Sequence, residues 1–278
     1  MRAKNSKIIF FDIDGTLIDI TGIISAKLME ALKQLKINGH EICIATGRSE
    51  DGQIMKFREM GWDGYVLGNG VYGEYQGKLV MHETISEGDI REFLEFTKNM
   101  TEMGIILEGN TGAYVTKAGS QVAYQAMQKA AYYGQMAYED FISYFQIVED
   151  LQVIKEVNKL MYFGGSQYIN AMLEKFGDRL SFLPNSITQS ASLDEGEMMK
   201  KGISKAKGIQ QLIATAGYEQ KDVIAFGDGY NDIEMIEFAD IGIAMGNGVN
   251  ALKEKADIVA DRIEADGIVK TLKSLALI

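Results

Sequence analysis

Ile8-Ile9-Phe10-Phe11 runs without a polar break into Asp12-Ile13-Asp14-Gly15. A short apolar run that stops at Asp and Gly reads as a parallel strand buried on both faces. This segment therefore calls for a covered sheet, and the next segments extend it. Residues 25–37 place Leu28, Leu32 and Leu35 at helical spacing behind Ser25, a candidate N-cap. Glu41 to Ala45 is a second strand, residues 50–60 a second helix, and Tyr65-Val66-Leu67 a third strand. Strand–helix alternation of this kind implies a parallel sheet with right-handed crossovers.

The rhythm then changes. Residues 71–82 read as a hairpin around Gln76-Gly77. From about 84 to 193 helical segments (86–103, 119–136, 166–176) mix with strands (105–108, 113–116, 158–163, 180–183, 187–193), and Tyr is concentrated there. After 200 a helix over 203–216 leads to the strand Val223-Ile224-Ala225-Phe226. A helix, Ile241–Met245, another helix and Asp257–Ala260 come next. The expected architecture is α/β: one doubly wound core from residues 1–83 and 194–278, with an α+β domain, 84–193, inserted.

Composition narrows the function. Lys and Arg total 28 against 39 Asp and Glu, a net charge of −11, which argues against neutralising the phosphates of a nucleic acid. A single cysteine excludes a disulfide framework, and Cys43 reads as a small core residue. No apolar run approaches the length of a membrane span. The basic Met1–Lys7 segment passes straight into a strand and lacks the apolar region of a secretory signal, so a cytoplasmic location is expected. With only His40 and His82, both read as surface residues, a histidine triad or zinc cage is poorly supplied.

Four segments carry candidate chemistry. Asp12 and Asp14 lie just beyond a strand's carboxyl end, where open α/β sheets bind ligands. Two acids there suit a divalent metal, or a nucleophile with a general acid beside it, or simply an acidic turn capping a helix. Thr46-Gly47-Arg48 ends the second strand with a hydroxyl and a backbone N–H at a helix start, an anion site or an ordinary loop. Lys205 taken alone reads as a solvated charge. Gly227-Asp228-Gly229-Tyr230-Asn231-Asp232 is a second acidic cluster after a strand. Neither acidic loop fits an EF-hand, because Ile233 and Leu17 stand where the turn glycine is needed. Gly68–Gly73 fits a dinucleotide fingerprint but precedes a hairpin. Gly246–Ala251 fits one that opens a helix, with no full binding half after it.

Taken together, D-x-D-G-T, T-G-R, an isolated Lys and G-D-G-x-N-D in this order resemble the haloacid dehalogenase-like hydrolases. The insertion between the second and third elements resembles the Cof-type branch, whose cap lies there. Asn69-Gly70, Gly242–Asn247, Lys255-Ala256-Asp257 and Asp266-Gly267-Ile268 extend the match over essentially the whole chain. Ala206 and Gly248 depart from the family's usual Gly and Ala.

The resemblance implies a Rossmann-like core and a Mg²⁺-dependent phosphatase of small phosphate esters, with sugar phosphates the commonest substrates. It implies Asp12 as the nucleophile that forms an aspartyl-phosphate. Asp14 would be the general acid and base, its backbone carbonyl on the metal. Thr46, Gly47, Lys205 and Asn231 would hold the phosphoryl group. Asp12, Asp14, Asp228 and Asp232 would form the Mg²⁺ site, Asp232 through water or by orienting the others. Arg48 would bind phosphate or hold its loop. A phosphotransferase or phosphomutase would use the same chemistry. A phospho-acceptor signalling module is a further alternative, against which Asp14 and the inserted domain argue. Nothing marks a nucleic-acid or membrane partner, and nothing sets an oligomeric state.

Overall fold

A computed structural model describes residues 6–19, 22–49, 52–128, 136–184 and 193–278. The chain divides into two compact units. One comprises Met1–Arg48, Met55–His82 and Ser204–Ile278, the other Ser49–Ile54 and Glu83–Ile203. In chain order, β1 (Ile8–Phe11), α1 (Ala26–Ile37), β2 (Glu41–Ala45), α2 (Gly52–Arg58) and β3 (Gly64–Leu67) come first, then the hairpin β4 (Tyr72–Tyr75) and β5 (Lys78–His82). Ser25 caps α1, its Oγ accepting from the Leu28 N–H at 3.2 Å, and Leu28, Leu32 and Leu35 form the buried face. Gln76 and Gly77 both take left-handed φ, 49° and 74°, as a tight two-residue hairpin turn requires.

The second unit supplies α3 (Glu87–Thr97), β6 (Gly104–Gly109), β7 (Gly112–Thr116), α4 (Lys117–Met127), α5 (Tyr138–Ile142), β8 (Gln146–Val148), β9 (Val157–Phe163), α6 (Ile169–Phe176), β10 (Leu180–Pro184) and β11 (Gly196–Lys200). Its sheet runs β10-β11-β9-β6-β7-β8, antiparallel except at β7–β8. Leu107, Leu160 and Tyr162 face α3 and α6 through Phe93, Met172 and Phe176. Their strand neighbours Ile106, Met161 and Phe163 face α4 and α5 through Ala123, Met127 and Phe141. The period of two thus sorts one set of apolar residues into two cores.

Here the sequence expectations shift most. The helix expected over 86–103 ends at Thr97, whose hydroxyl donates back to the Phe93 carbonyl at 2.9 Å. Strands β8 and β11 have no counterpart in the expectation. Residues 187–192 of the strand expected at 187–193, and 129–135 of the helix expected at 119–136, lie outside the described residues.

The chain then returns to the first unit with α7 (Lys205–Ala216), β12 (Val223–Gly227), α8 (Ile233–Phe238), β13 (Ile241–Ala244), α9 (Asn250–Lys253), β14 (Ile258–Val259) and α10 (Gly267–Ser274). The eight-stranded sheet runs β14-β13-β12-β1-β2-β3-β4-β5, parallel from β14 to β3 and antiparallel beyond. Ile8, Phe10, Cys43, Val66 and Val223 pack under Ile209, Leu212 and Ile213 of α7 and Met235 and Ile236 of α8. On the opposite face Phe11 stacks on Phe226 at 5.1 Å and meets Trp62 edge-on at 6.0 Å. Both faces are buried, which is why β1 reads as an unbroken apolar run. Burial also pushes the Cys43 thiol well up, as suits a core residue. His40 and His82 prove half-buried, His40 accepting from the Lys7 backbone N–H at 3.1 Å and His82 packing on Tyr72. Among the described residues no helix is long and apolar enough to cross a membrane.

The strand order fixes where a ligand can bind. The chain winds outward from β1 through β2 to β3, and later returns to β12 on the other side of β1. That reversal opens a crevice beyond the carboxyl ends of β1 and β12.

Candidate active site

Asp12 follows β1 and Asp228 follows β12, so the switch point sets both at the mouth of the crevice. Asp232 joins them from the short turn that leads into α8. One carboxylate oxygen from each of the three lies within 4.8 Å of the others, and all three residues are buried. Lys205, at the first position of α7, is 1% exposed. Its Nζ donates to Asp12 Oδ1 at 2.6 Å and to Asp232 Oδ1 at 2.5 Å. A lysine that reads as a solvated charge in isolation is therefore a buried cation paired with two of the three acids.

Three carboxylates and one ammonium leave an excess of negative charge in a dry place. Burial pushes the Asp12 carboxyl up to about 7; Lys205 opposes the shift and Asp232 adds to it. Burial, with the charges of Asp12 and Asp232, pushes Asp228 up to about 8. Burial works against the charge on Lys205, but Asp12 and Asp232 more than offset it and hold its pKa above the usual value. Such a set suits a small hard cation, because oxygen donors and uncompensated charge are what Mg²⁺ requires.

The three acids differ in what their oxygens are free to do. Asp232 Oδ2 accepts from the backbone N–H groups of Asp228 and Gly229, both at 2.9 Å, and Oδ1 accepts from Lys205. It braces the loop. Asp228 accepts from the Thr16 hydroxyl at 3.1 Å. Asp14 stands apart from the carboxylate cluster. Its side chain is 54% exposed and forms a forked pair with Arg48, Nε to Oδ2 at 2.7 Å and a terminal nitrogen to Oδ1 at 2.6 Å.

Gly15 makes this crowding possible. Its φ is +81°, and a Cβ there would sit 2.2 Å from Asp228 Oδ2. Thr46 is buried at the end of β2, its hydroxyl accepting from the Arg48 N–H at 3.2 Å. Asn231 Nδ2 donates to Asn69 Oδ1 at 2.8 Å, and both amides lie against Gly47. All nine residues singled out in the sequence, Arg48 included, thus belong to the first unit, at strand ends, in loops or, for Lys205, at the start of α7.

Sequence reasoning gave no role to three neighbours. Thr16 steadies Asp228, Asn69 holds Asn231, and Asn247 donates to the Gly15 carbonyl at 2.7 Å. The available signal was their place inside quoted motifs. Their partners lie 162 to 232 positions away. The second dinucleotide fingerprint opens only the four-residue α9.

Comparison with known proteins points the same way. A family model for haloacid dehalogenase-like hydrolases matches residues 9–272. The Bacillus subtilis protein YkrA, provisionally named a phosphatase, is 27% identical over 282 residues and covers 99% of each chain. A Streptococcus pyogenes protein provisionally named a bifunctional phosphatase and peptidyl-prolyl cis-trans isomerase is 27% identical over 285 residues. The match takes in all of this chain but 55% of that one. The solved structure of the HAD subclass IIB sugar phosphatase BT4131 superposes with a TM-score of 0.78 at 26% identity, covering 98% of this chain and 100% of the other.

Proposed function

Because the chain belongs to the haloacid dehalogenase-like hydrolases, in the Cof-type branch, and is a phosphoric monoester hydrolase, we propose that it hydrolyses sugar phosphates with Mg²⁺ through an aspartyl-phosphate on Asp12. One observation carries the reading: the buried cluster of Asp12, Asp228 and Asp232, with Lys205 paired to Asp12 and Asp232, at the switch point of a doubly wound sheet. The likeness to a sugar phosphatase supports the substrate class.

Asp12 and Asp228, with the Asp14 backbone carbonyl, would hold Mg²⁺, which when bound screens the repulsion between a carboxylate and a phosphate dianion. Asp12 attacks phosphorus, and the bond to the ester oxygen breaks. Asp14 gives its proton to that oxygen and later takes one from the water that attacks the aspartyl-phosphate, releasing phosphate and free Asp12. Thr46, the Gly47 N–H, Asn231 and Lys205 hold the phosphoryl oxygens as charge shifts. Asp232 keeps Lys205 and the Asp228 loop in place. Arg48 holds Asp14 rather than phosphate in this arrangement.

The test is a panel of phosphorylated metabolites assayed with Mg²⁺ and with a chelator. Wild-type protein releases phosphate from sugar phosphates only when Mg²⁺ is present. Asp12→Asn abolishes turnover with the fold intact, and Asp14→Asn loses about 10²–10⁴-fold in kcat. Near wild-type activity in Asp12→Asn would refute the covalent mechanism, and acceptor-dependent product would identify a phosphotransferase instead.

A further inference from the structure

Three consecutive residues after β3 adopt left-handed backbone: Gly68 at φ 58°, Asn69 at 55° and Gly70 at 100°. Glycine enters that region freely, and asparagine tolerates it better than most residues with a Cβ, though less freely than glycine. Asn69 is the one member of the turn with a side chain, and it is 2% exposed. A third glycine would satisfy the same backbone with less strain. The asparagine must therefore be judged by what its side chain does.

That side chain sits where the phosphoryl cradle is assembled. The turn is stitched to the loop after β2 by two main-chain bonds, Gly68 N–H to Arg48 O at 2.7 Å and Asn69 N–H to Thr46 O at 2.9 Å. Asn69 Oδ1 accepts from Asn231 Nδ2 at 2.8 Å. A Cβ on Gly47 would lie 3.0 Å from Asn69 Oδ1 and 3.2 Å from Asn231 Nδ2, so the paired amides pack directly on the backbone of Gly47. On its other side the turn presses on the start of α7. A Cβ on Gly70 would meet Ser204 O at 2.1 Å, one residue before Lys205. One short turn thus touches all three segments that carry Thr46, Gly47, Asn231 and Lys205.

We infer that Asn69 is a positioning residue for phosphoryl binding, acting through the orientation of Asn231 against the Thr46–Gly47 loop. The inference rests on the phosphate-holding role proposed above for Asn231. Asn69→Gly removes the acceptor while relieving the backbone. Asn69→Asp keeps an acceptor at the same place but adds a negative charge beside the cradle.

The experiment measures melting temperature, kcat and KM on a hydrolysed sugar phosphate, and the inhibition constant of inorganic phosphate. Asn69→Gly, Asn69→Asp, Asn231→Ala and the double variant that combines Asn69→Gly with Asn231→Ala are compared with wild type. In Asn69→Gly we expect a melting temperature close to wild type. KM and the phosphate inhibition constant should rise together by about 10-fold, the worth of one lost hydrogen bond, with kcat less affected. Asn69→Asp should bind phosphate more weakly still. The double variant should be no worse than Asn231→Ala alone, because the two act as a unit. Unmoved KM and inhibition constants in Asn69→Gly, or a fall in melting temperature with binding unchanged, overturn the inference. Additive losses in the double variant do so as well. A wild type that hydrolyses no phosphate ester overturns the hydrolase reading and the inference with it. An active wild type with unaltered variants overturns the role of Asn69 alone.

Discussion

A methyl group added at position 15 would have to occupy space taken by the Asp228 carboxylate, 2.2 Å away. It would also sit on a backbone at φ +81°, which costs an L-residue about 1–2 kcal/mol before any clash is counted. Gly15→Ala should therefore both destabilise the protein and displace Asp228. Urea unfolding should show a loss of at least about 1 kcal/mol, and the Mg²⁺ concentration for half-maximal activity should rise. Wild-type stability and unchanged Mg²⁺ dependence would show that the close approach of the two loops is not required. Residues of this kind divide by legibility. Asp12 and Asp228 could be singled out because each follows an apolar strand, whereas Lys205 gained a role only from its place among the other three segments. Thr16 and Asn69 could be seen in the sequence, but their work is a contact with Asp228 or Asn231, made only once the sheet is closed.

At the scale of elements, legibility followed burial. Strands covered on both faces, such as β1 and β12, announce themselves as apolar runs, and α1 shows its cap and its stripe. Strand β8 does not, because Gln146 and Ile147 are exposed at a sheet edge. Strand β11 hides for the opposite reason: it carries Glu197 into the interior at 1% exposure. That is tolerable because Lys159 on β9, itself 4% exposed, lies 3.3 Å from Glu197 and 3.4 Å from Glu108 on β6. Burial drives the Glu108 carboxyl up, with Lys159 opposing, while the two glutamates hold the Lys159 ammonium up against its own burial. Removing the cation from such a set should cost far more than a surface ion pair is worth. Lys159→Met should destabilise by about 3–5 kcal/mol, and adding Glu108→Gln and Glu197→Gln should recover part of the loss. A loss below about 1 kcal/mol for Lys159→Met would mean that the two glutamates stay protonated and need no cation.

For the whole molecule, a net charge of −11 at first looks unsuited to an anionic substrate. The structure puts some of that charge to use, since Asp12, Asp228 and Asp232 are buried together with one lysine. The consequence is a stability that depends on pH in a calculable direction. Asp12 titrates near 7 and Asp228 near 8 in the folded protein, against 3.8 for an ordinary aspartate. Between about pH 4 and 8 the folded state therefore binds more protons than the unfolded chain, and raising the pH through that window removes stability. Each proton so displaced costs at most about 1.4 kcal/mol per pH unit. Lys205 does not alter the sign, because its pKa lies above 10.5 when folded and at about that value when unfolded, so it stays charged throughout. A divalent cation competes with these protons for the same oxygens, so its stabilising effect must grow as they leave. Without metal, the melting temperature should fall from pH 5 to pH 8. Millimolar Mg²⁺ should raise it more at pH 8 than at pH 5, and Asp228→Asn should flatten the metal-free slope. An equal or larger Mg²⁺ effect at pH 5 would show that the cation does not bind at the protonated acids, and would remove the charge argument for a metal in the crevice.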